Sequence, residues 1–108
     1  PANSLDKVET VEIKIPSEYK LEQNYPNPFN PTTNIKYQIP EDKHVSLKIY
    51  NIIGQLVKVL VDDNQATGSY SIQWDGRDNH GAAISSGVYL YRIEAGDFVT
   101  NKKMIYMK

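Results

Sequence analysis

The sequence has no cysteine, which excludes a disulfide and a thiolate zinc site within the chain. No apolar run approaches the roughly 18 residues of a transmembrane helix, and the first ten residues lack the basic and apolar regions of a signal peptide. Twelve basic and thirteen acidic residues are interspersed, so no nucleic-acid stripe or membrane-surface patch is expected. Because there is no initiator Met, we expect the chain to be a piece of a longer protein.

Side chains suited to catalysis are also scarce. His44 and His80 are the only histidines, and both are predicted to lie in polar, turn-like surroundings. No serine has the G-x-S-x-G context of a nucleophile elbow. The sequence therefore predicts a protein that is not an enzyme and needs no cofactor.

Alternation of apolar and polar residues with a period of two is the dominant pattern, which is typical of half-buried β-strands. Within the fourth segment, Val57, Val59 and Val61 are predicted to share one face, and Leu56, Lys58 and Leu60 the other. Gly96 is expected to form a tight turn between the last two strands. The predicted strands cover residues 11–15, 35–39, 45–49, 55–61, 69–74, 88–95 and 98–107.

About seven short strands at this spacing predict an all-β fold, an antiparallel immunoglobulin-like sandwich. Residues 1–20 are charged and end their alternating stretch at Pro16, so we interpret them as a linker from an upstream domain, with an edge strand as an option. The compact domain is predicted to span residues 21–108.

The stretch "YPNPFNPTT", residues 25–33, restricts the backbone more than any other part of the chain. It is predicted to be a stiff lead-in to the first core strand that directs Phe29 into an open end of the sandwich. The alternative is that the motif itself is a recognition patch. The residues of this motif are Pro26, Asn27, Pro28, Phe29, Asn30 and Pro31.

Two further features leave alternatives open. In the loop "WDGRDNHG" (74–81), Asp75, Asp78 and Asn79 could supply oxygen ligands to calcium, or could form local turns while Arg77 pairs with a carboxylate. Trp74 and the tyrosines could form a sugar-binding platform, but their phase along the strands favours packing in the core.

Five motifs, in this order, resemble the type A C-terminal sorting domain of the type IX secretion system, and the chain is also similar to the Ig-like domain of the flagellar hook-capping protein. The likeness covers residues 21–108. Its motifs are "YPNPFNPTT", "VSLKIYNIIGQLVKVLV", "GSYSIQWDGRDNHG", "SGVYLYRIEAG" and "KKMIYMK".

The resemblance implies a cargo tag at the C-terminus of secreted proteins of Gram-negative-type bacteria. The implied partners are an upstream cargo domain, the outer-membrane secretion machinery and a sortase-like protease, which commonly removes the tag at the cell surface. Cleavage would then fall in the segment before Leu21, although retention as a surface module stays open. The implied recognition residues are Gly87, Tyr89, Gly96, Lys102, Lys103 and Lys108.

The last strand offers a physical mode of recognition if it lies at a sheet edge. Its backbone could pair with a receptor strand while Lys102, Lys103 and Lys108 are drawn to an acidic acceptor. Alternatively, these lysines only protect an exposed edge against aggregation. The alternative function is a β-sandwich module that binds glycan or a protein surface and is appended to a secreted enzyme.

Overall fold

A computed structural model describes residues 15–108, which form seven antiparallel strands in two sheets. The prediction of an all-β immunoglobulin-like sandwich is confirmed. Over this range, no helix is long and apolar enough to cross a membrane. The strands are β1 (Lys20–Leu21), β2 (Thr33–Ile39), β3 (Lys43–Asn51), β4 (Leu56–Gln65), β5 (Gly68–Trp74), β6 (Gly87–Ala95) and β7 (Phe98–Tyr106).

The two sheets have the strand orders β1-β2-β5 and β4-β3-β6-β7. All pairings between neighbouring strands are antiparallel. The order places β7 at one edge of the four-stranded sheet and β4 at the other. In β3, the pairing of Ile49 with Tyr91 of β6 and Lys58 of β4 shows how one central strand holds both neighbours in register.

The core lies between the sheets, because one face of each long strand is apolar. Ile35, Leu47 and Ile93 are fully buried, and their sequence neighbours on the same strands are more exposed. Burying one such side chain stabilises the fold by about 1.5–3 kcal/mol. The largest fully buried side chains are Trp74, Tyr37, Tyr91 and Phe29.

The predicted faces of β4 are wrong. The pairing with β3 jumps from Leu47↔Val61 to Lys48↔Val59, so Leu60 is an extra residue in the ladder. A second jump makes Val57 an extra residue. Each bulge reverses the alternation locally, and Val57 and Leu60, predicted on opposite faces, both pack against the core.

The N-terminal predictions have mixed outcomes. Most of the predicted strand at 11–15 lies outside the described residues, whereas β1, at Lys20–Leu21, was not predicted. The Tyr19 ring stacks on Phe98 with centroids 5.0 Å apart, so contact with the sandwich begins inside the predicted linker. The domain boundary near Leu21 stays a prediction.

His44 lies in β3 and not in a turn, because the strand begins at Lys43.

Candidate recognition surface

Residues 22–33, here called the proline clip, run from β1 into β2, and Gln23, Asn27 and Phe29 contact the outer edge of β7 on the way. The Phe29 N–H donates to the Ile105 carbonyl at 2.9 Å, and the Phe29 carbonyl accepts from the Met107 N–H at 3.1 Å. The Asn27 Oδ1 atom accepts from the Ile105 N–H at 2.9 Å. The clip therefore pairs with the end of β7 as a short additional strand. The peptide bonds before its three prolines are all cis.

The Phe29 side chain is the part of the clip that enters the core. It is 1% exposed, and its ring centroid lies 5.6 Å from that of Trp74 and 5.1 Å from that of Tyr106. The prediction that Phe29 enters the sandwich is confirmed. Phe29 is thus inaccessible to a partner, while the five polar and proline residues around it are exposed: Pro26, Asn27, Pro28, Asn30 and Pro31.

A buried hydrogen-bond network ties the clip to β6. The Tyr91 hydroxyl donates to the Glu22 carbonyl at 2.7 Å and accepts from the Asn24 N–H at 2.8 Å. The Asn24 amide also donates to the Thr33 hydroxyl at 2.9 Å. Burial raises the pKa of Tyr91 to about 12. The network joins the two sheets at the position where the clip leaves β1.

Replacing Tyr91 with Phe is expected to lower the free energy of unfolding by about 1–3 kcal/mol, because the Asn24 N–H and the Glu22 carbonyl lose their buried partner. Urea unfolding at neutral pH measures this loss. Tyr25→Phe is the control, since Tyr25 is 78% exposed. If the two variants unfold at the same urea concentration, the network does not stabilise the fold.

The same substitution should change the pH dependence of stability. The pKa of Tyr91 is raised from 10.0 to about 12 in the folded protein. The stabilisation of the fold that depends on the proton of the Tyr91 hydroxyl is therefore fully present below pH 10.0, and it is lost as the pH rises towards about 12. In the Tyr91→Phe variant, the alkaline fall in stability over this window should be shallower.

The clip covers only part of the β7 edge. In an antiparallel strand, the backbone groups of alternate residues point away from the paired neighbour. At the far end of β7 these groups belong to Lys103, whose carbonyl accepts from Gln23 Nε2 at 2.7 Å, and to Ile105. No hydrogen bond within residues 15–108 occupies the equivalent groups of Val99 and Asn101. An added strand can therefore pair near 99–101, but not farther along while the clip is in place.

Three of the predicted recognition residues have structural roles in the β6–β7 hairpin. Tyr89 is 7% exposed, and its hydroxyl donates to the Ser85 carbonyl at 2.7 Å. Gly96, with φ of 61°, occupies the two-residue turn between Ala95 and Phe98, as predicted. Gly87 is the first residue of β6. These three residues determine the shape of the hairpin and offer little side-chain surface to a partner.

The three predicted lysines do not form one patch. Successive residues of a strand face opposite sides of the sheet, so Lys102 and Lys103 point to opposite faces. Lys103 lies on the outer face, opposite Leu90. Lys108 follows the strand, and its N–H donates to the Ser86 hydroxyl at 2.9 Å. A single acidic acceptor surface cannot contact Lys102 and Lys103 from the same side.

The candidate calcium ligands are each used by the backbone of their own loop or of β4. Their oxygens accept N–H groups as follows: Asp75 from Arg77 at 3.1 Å, Asp78 from His80 at 2.8 Å and Ala82 at 3.0 Å, and Asn79 from Val59 at 3.0 Å. The bonds from Ala82 and His80 lower the pKa of Asp78.

The loop thus has the local turns of the alternative interpretation. Arg77 was predicted to pair with a carboxylate, but its guanidinium donates to the Gly81 carbonyl at 2.9 Å. Among the described residues, no group of three or more His, Cys, Asp or Glu side chains could hold a metal ion.

The sugar platform built on Trp74 is wrong. Trp74 is 1% exposed, and its Nε1–H donates to the Arg77 carbonyl at 2.9 Å. Its ring packs edge-on against Tyr89 at a centroid distance of 6.1 Å. The prediction of core packing is confirmed for both rings, because neither presents a flat face to solvent.

Comparison with known families decides the class of this sandwich. A family model described as the FlgD Ig-like domain matches residues 27–97, more than half of the chain. The chain belongs to the FlgD Ig-like domain family. The match begins inside the proline clip and ends in the β6–β7 turn, so β7 follows the matched range. Among curated proteins, none matches the chain.

Two solved structures from Porphyromonas gingivalis share the fold of this Ig-like domain. Dimeric latent PorU has a TM-score of 0.64 and 24% identity, over 84% of this chain and 10% of the PorU chain. PorZ, an essential bacterial surface component of the type-IX secretion system, has a TM-score of 0.55 and 19% identity, over 83% of this chain and 11% of PorZ. The chain spans about a tenth of each, and the likeness is one of fold.

An exposed apolar surface of the Ig-like domain was missed by the sequence reasoning. Ile52 and Ile53, in the turn between β3 and β4, are 74% and 75% exposed, and Leu56 is 48% exposed. The predicted strands at 45–49 and 55–61 left residues 50–54 between them with no assigned role. The available signal was two consecutive β-branched apolar residues within a turn, where polar residues are usual.

Proposed function

We propose that this Ig-like domain is a non-catalytic C-terminal sorting module. It targets a secreted cargo, joined upstream in the same chain, across the outer membrane by the type IX route and to the cell surface. Its partners are the outer-membrane secretion machinery and a sortase-like protease that cuts before Leu21.

The observation that carries this proposal is the contact between the first and last motifs of the sorting-domain resemblance. "YPNPFNPTT" and "KKMIYMK" are separated by most of the chain, yet Phe29 pairs with Ile105 and Met107. The motifs thus form one structural unit that includes β7, the strand that holds Lys102 and Lys103, two of the recognition residues that the sorting-domain resemblance implies. The shared fold with PorZ, a surface component of the type-IX secretion system, supports the same assignment.

Within this function, the β6–β7 hairpin is the proposed recognition element. Gly87, Tyr89 and Gly96 maintain its shape, because they start the strand, fill the core and close the turn. Lys103 and Lys108 are exposed and are the proposed electrostatic contacts, while Lys102 faces the other side of the sheet. Strand addition is proposed at residues 99–101, where the clip does not cover the edge.

A reporter fusion tests the sorting function directly. The chain is fused after a fluorescent protein with a periplasmic signal peptide, in a bacterium that has the type IX system. We expect the reporter to reach the surface or medium only when the chain is attached, and to stay in the periplasm of a strain lacking the system. Equal periplasmic retention with and without the chain, although the fusion is intact, would overturn the proposal.

A protein-binding module is the second candidate, and the exposed Ile52 and Ile53 favour it over glycan binding, since Trp74 is buried. The same fusion separates the two functions. A pure binding module would leave the reporter in the periplasm, while the isolated chain would still bind a protein surface.

A further inference from the structure

The turn that presents Ile52 and Ile53 is ordered by Asn51. The Asn51 Oδ1 atom accepts from the N–H groups of Ile53 at 3.1 Å and Gln55 at 2.9 Å. Its Nδ2 donates to Gln55 Oε1 at 2.7 Å, and its carbonyl accepts from the Gly54 N–H at 3.0 Å. Gly54 takes the positive φ of 86° that this turn requires. The ordered turn thus holds the solvent-exposed side chains of Ile52 and Ile53 at a fixed position.

Register extends this apolar surface across the four-stranded sheet. Tyr50 lies opposite Leu56 of β4 and Leu90 of β6, and all three point away from the core. Ile105, 39% exposed, lies on the same outer face of β7. A contiguous exposed apolar surface on a small domain marks an interaction site. We call it the apolar end: Tyr50, Ile52, Ile53, Leu56, Leu90 and Ile105.

Three basic side chains on the same face, here called the basic row, lie close to the apolar end: Lys48 and Arg92 beside it, and Lys103 next to Leu90 within it. Lys48 lies opposite Arg92, and Lys103 lies opposite Leu90. Arg92 is paired with Glu94 at 2.9 Å. Within residues 15–108, no salt bridge occupies Lys48 or Lys103. These two ammonium groups are therefore available to carboxylates of a partner.

A shallow cavity of about 280 Å³ lies where the apolar end meets the basic row. Its lining comprises Tyr50, Gly54, Leu90, Arg92 and Asn101. It can accept one apolar side chain, the kind of anchor that contributes most to protein interfaces. A lipid bilayer has no side chain held at a fixed position that could fill this cavity.

We propose that this face docks a protein partner that inserts an apolar side chain into the cavity and presents carboxylates to Lys48 and Lys103. Charge complementarity argues against a second copy of the chain, because face-to-face packing would bring two basic rows together. An anionic bilayer fits less well, since the net charge of −1 gives the chain no overall attraction to it. The inference rests on the proposed function only in placing the partner in the outer membrane.

Two pairs of variants test the face. Ile52→Ser/Ile53→Ser removes the apolar tip, and Ile15→Ser/Tyr25→Ser removes two exposed side chains away from this face. Lys48→Glu/Lys103→Glu reverses the basic row, and Lys20→Glu/Lys36→Glu makes the same charge change on the three-stranded sheet. Circular dichroism and thermal unfolding first establish that each variant is folded.

Binding is measured with the 108-residue chain on outer-membrane vesicles of a type IX host, on protease-treated vesicles, and on liposomes of the extracted lipids. We expect each face variant to weaken binding to untreated vesicles about tenfold or more, a loss of about 1.4 kcal/mol. The controls should bind like the unaltered chain. The effect of the Lys48/Lys103 variant should shrink at high salt.

Three results overturn the proposal: equal binding of face and control variants, binding that survives protease treatment, or equal binding to the lipid liposomes. Export of the reporter fusion is measured in parallel. If the unaltered chain exports its cargo and the face variants do so equally, the docking face is refuted and the sorting function stands. If the unaltered chain is not exported, the sorting function fails, and the docking face stands only if the unaltered chain still binds untreated vesicles and the face variants do not.

Discussion

Replacing Phe29 with Ala is expected to lower the free energy of unfolding by about 3–5 kcal/mol, because a fully buried aromatic ring is lost and a cavity remains. Phe29 is 1% exposed between Trp74 and Tyr106. Domains of this size have about 5–15 kcal/mol of stability in total. Urea unfolding monitored by Trp74 fluorescence measures the change.

Phe29→Ala should also release the clip from β7 before the sandwich unfolds. The Ile105 and Met107 N–H groups bond to Asn27 and Phe29, so their hydrogen exchange should accelerate more than that of Tyr91 in the centre of the sheet. Tyr25→Ala is the matched control, because Tyr25 lies in the same segment and is 78% exposed. Its expected effect is below about 0.5 kcal/mol. A similar loss in both variants would show that the ring does not anchor the clip.

Much of the fold could be predicted because five strands, β2, β3, β5, β6 and β7, alternate between a more buried and a more exposed face. A slip of one residue would expose the whole apolar set, so the pattern fixes the inward face. Gly96 could be predicted in the same way, since a two-residue hairpin turn requires positive φ. These features depend only on residues close together in sequence.

The features that sequence reasoning missed depend on pairing between distant residues. The bulges at Val57 and Leu60 exist only relative to β3, and the clip joins Asn27 to Ile105 across 78 positions. The period of two in a strand predicts that Lys102 and Lys103 point to opposite faces of the sheet. The prediction of one acidic acceptor nevertheless treats them as one basic patch, because it considers only their charge and their closeness in sequence. The apolar end also required register, because Leu56, Tyr50 and Leu90 are adjacent only once three strands are paired.

Because the proline clip pairs with the end of β7, the proposed sorting signal at the C-terminus overlaps with residues that complete the fold. Met104 is fully buried and Tyr106 is 5% exposed against Phe29, so the last strand completes the core. A sorting signal located there cannot be removed as a whole without also removing core residues. Tests of recognition therefore have to separate loss of the signal from loss of the structure.

Deleting Met104–Lys108 from the reporter fusion is expected to abolish export, because the deletion removes part of the proposed signal and also unfolds the domain. The loss of two core side chains and of the clip's pairing should unfold the domain, since each large buried side chain contributes about 2–5 kcal/mol. Protease digestion of the fusion should then degrade the domain and leave the reporter intact. Export at the level of the unaltered fusion would exclude the terminus as part of the signal.

Deleting only Met107 and Lys108 separates the two causes. Met107 is 56% exposed and Lys108 is exposed. The deletion removes the Met107 N–H bond to the Phe29 carbonyl, but the Phe29 N–H bond to Ile105 and the buried Phe29 ring remain, so the sandwich should stay folded and resistant to protease. If Lys108 is a recognition contact, this short deletion lowers export severalfold while thermal unfolding changes little. Lys108→Glu should lower export similarly, whereas Lys36→Glu, on the other sheet, should not. Full export of the short deletion, with loss only in the longer one, would mean that the machinery reads the folded hairpin and not the terminal residues.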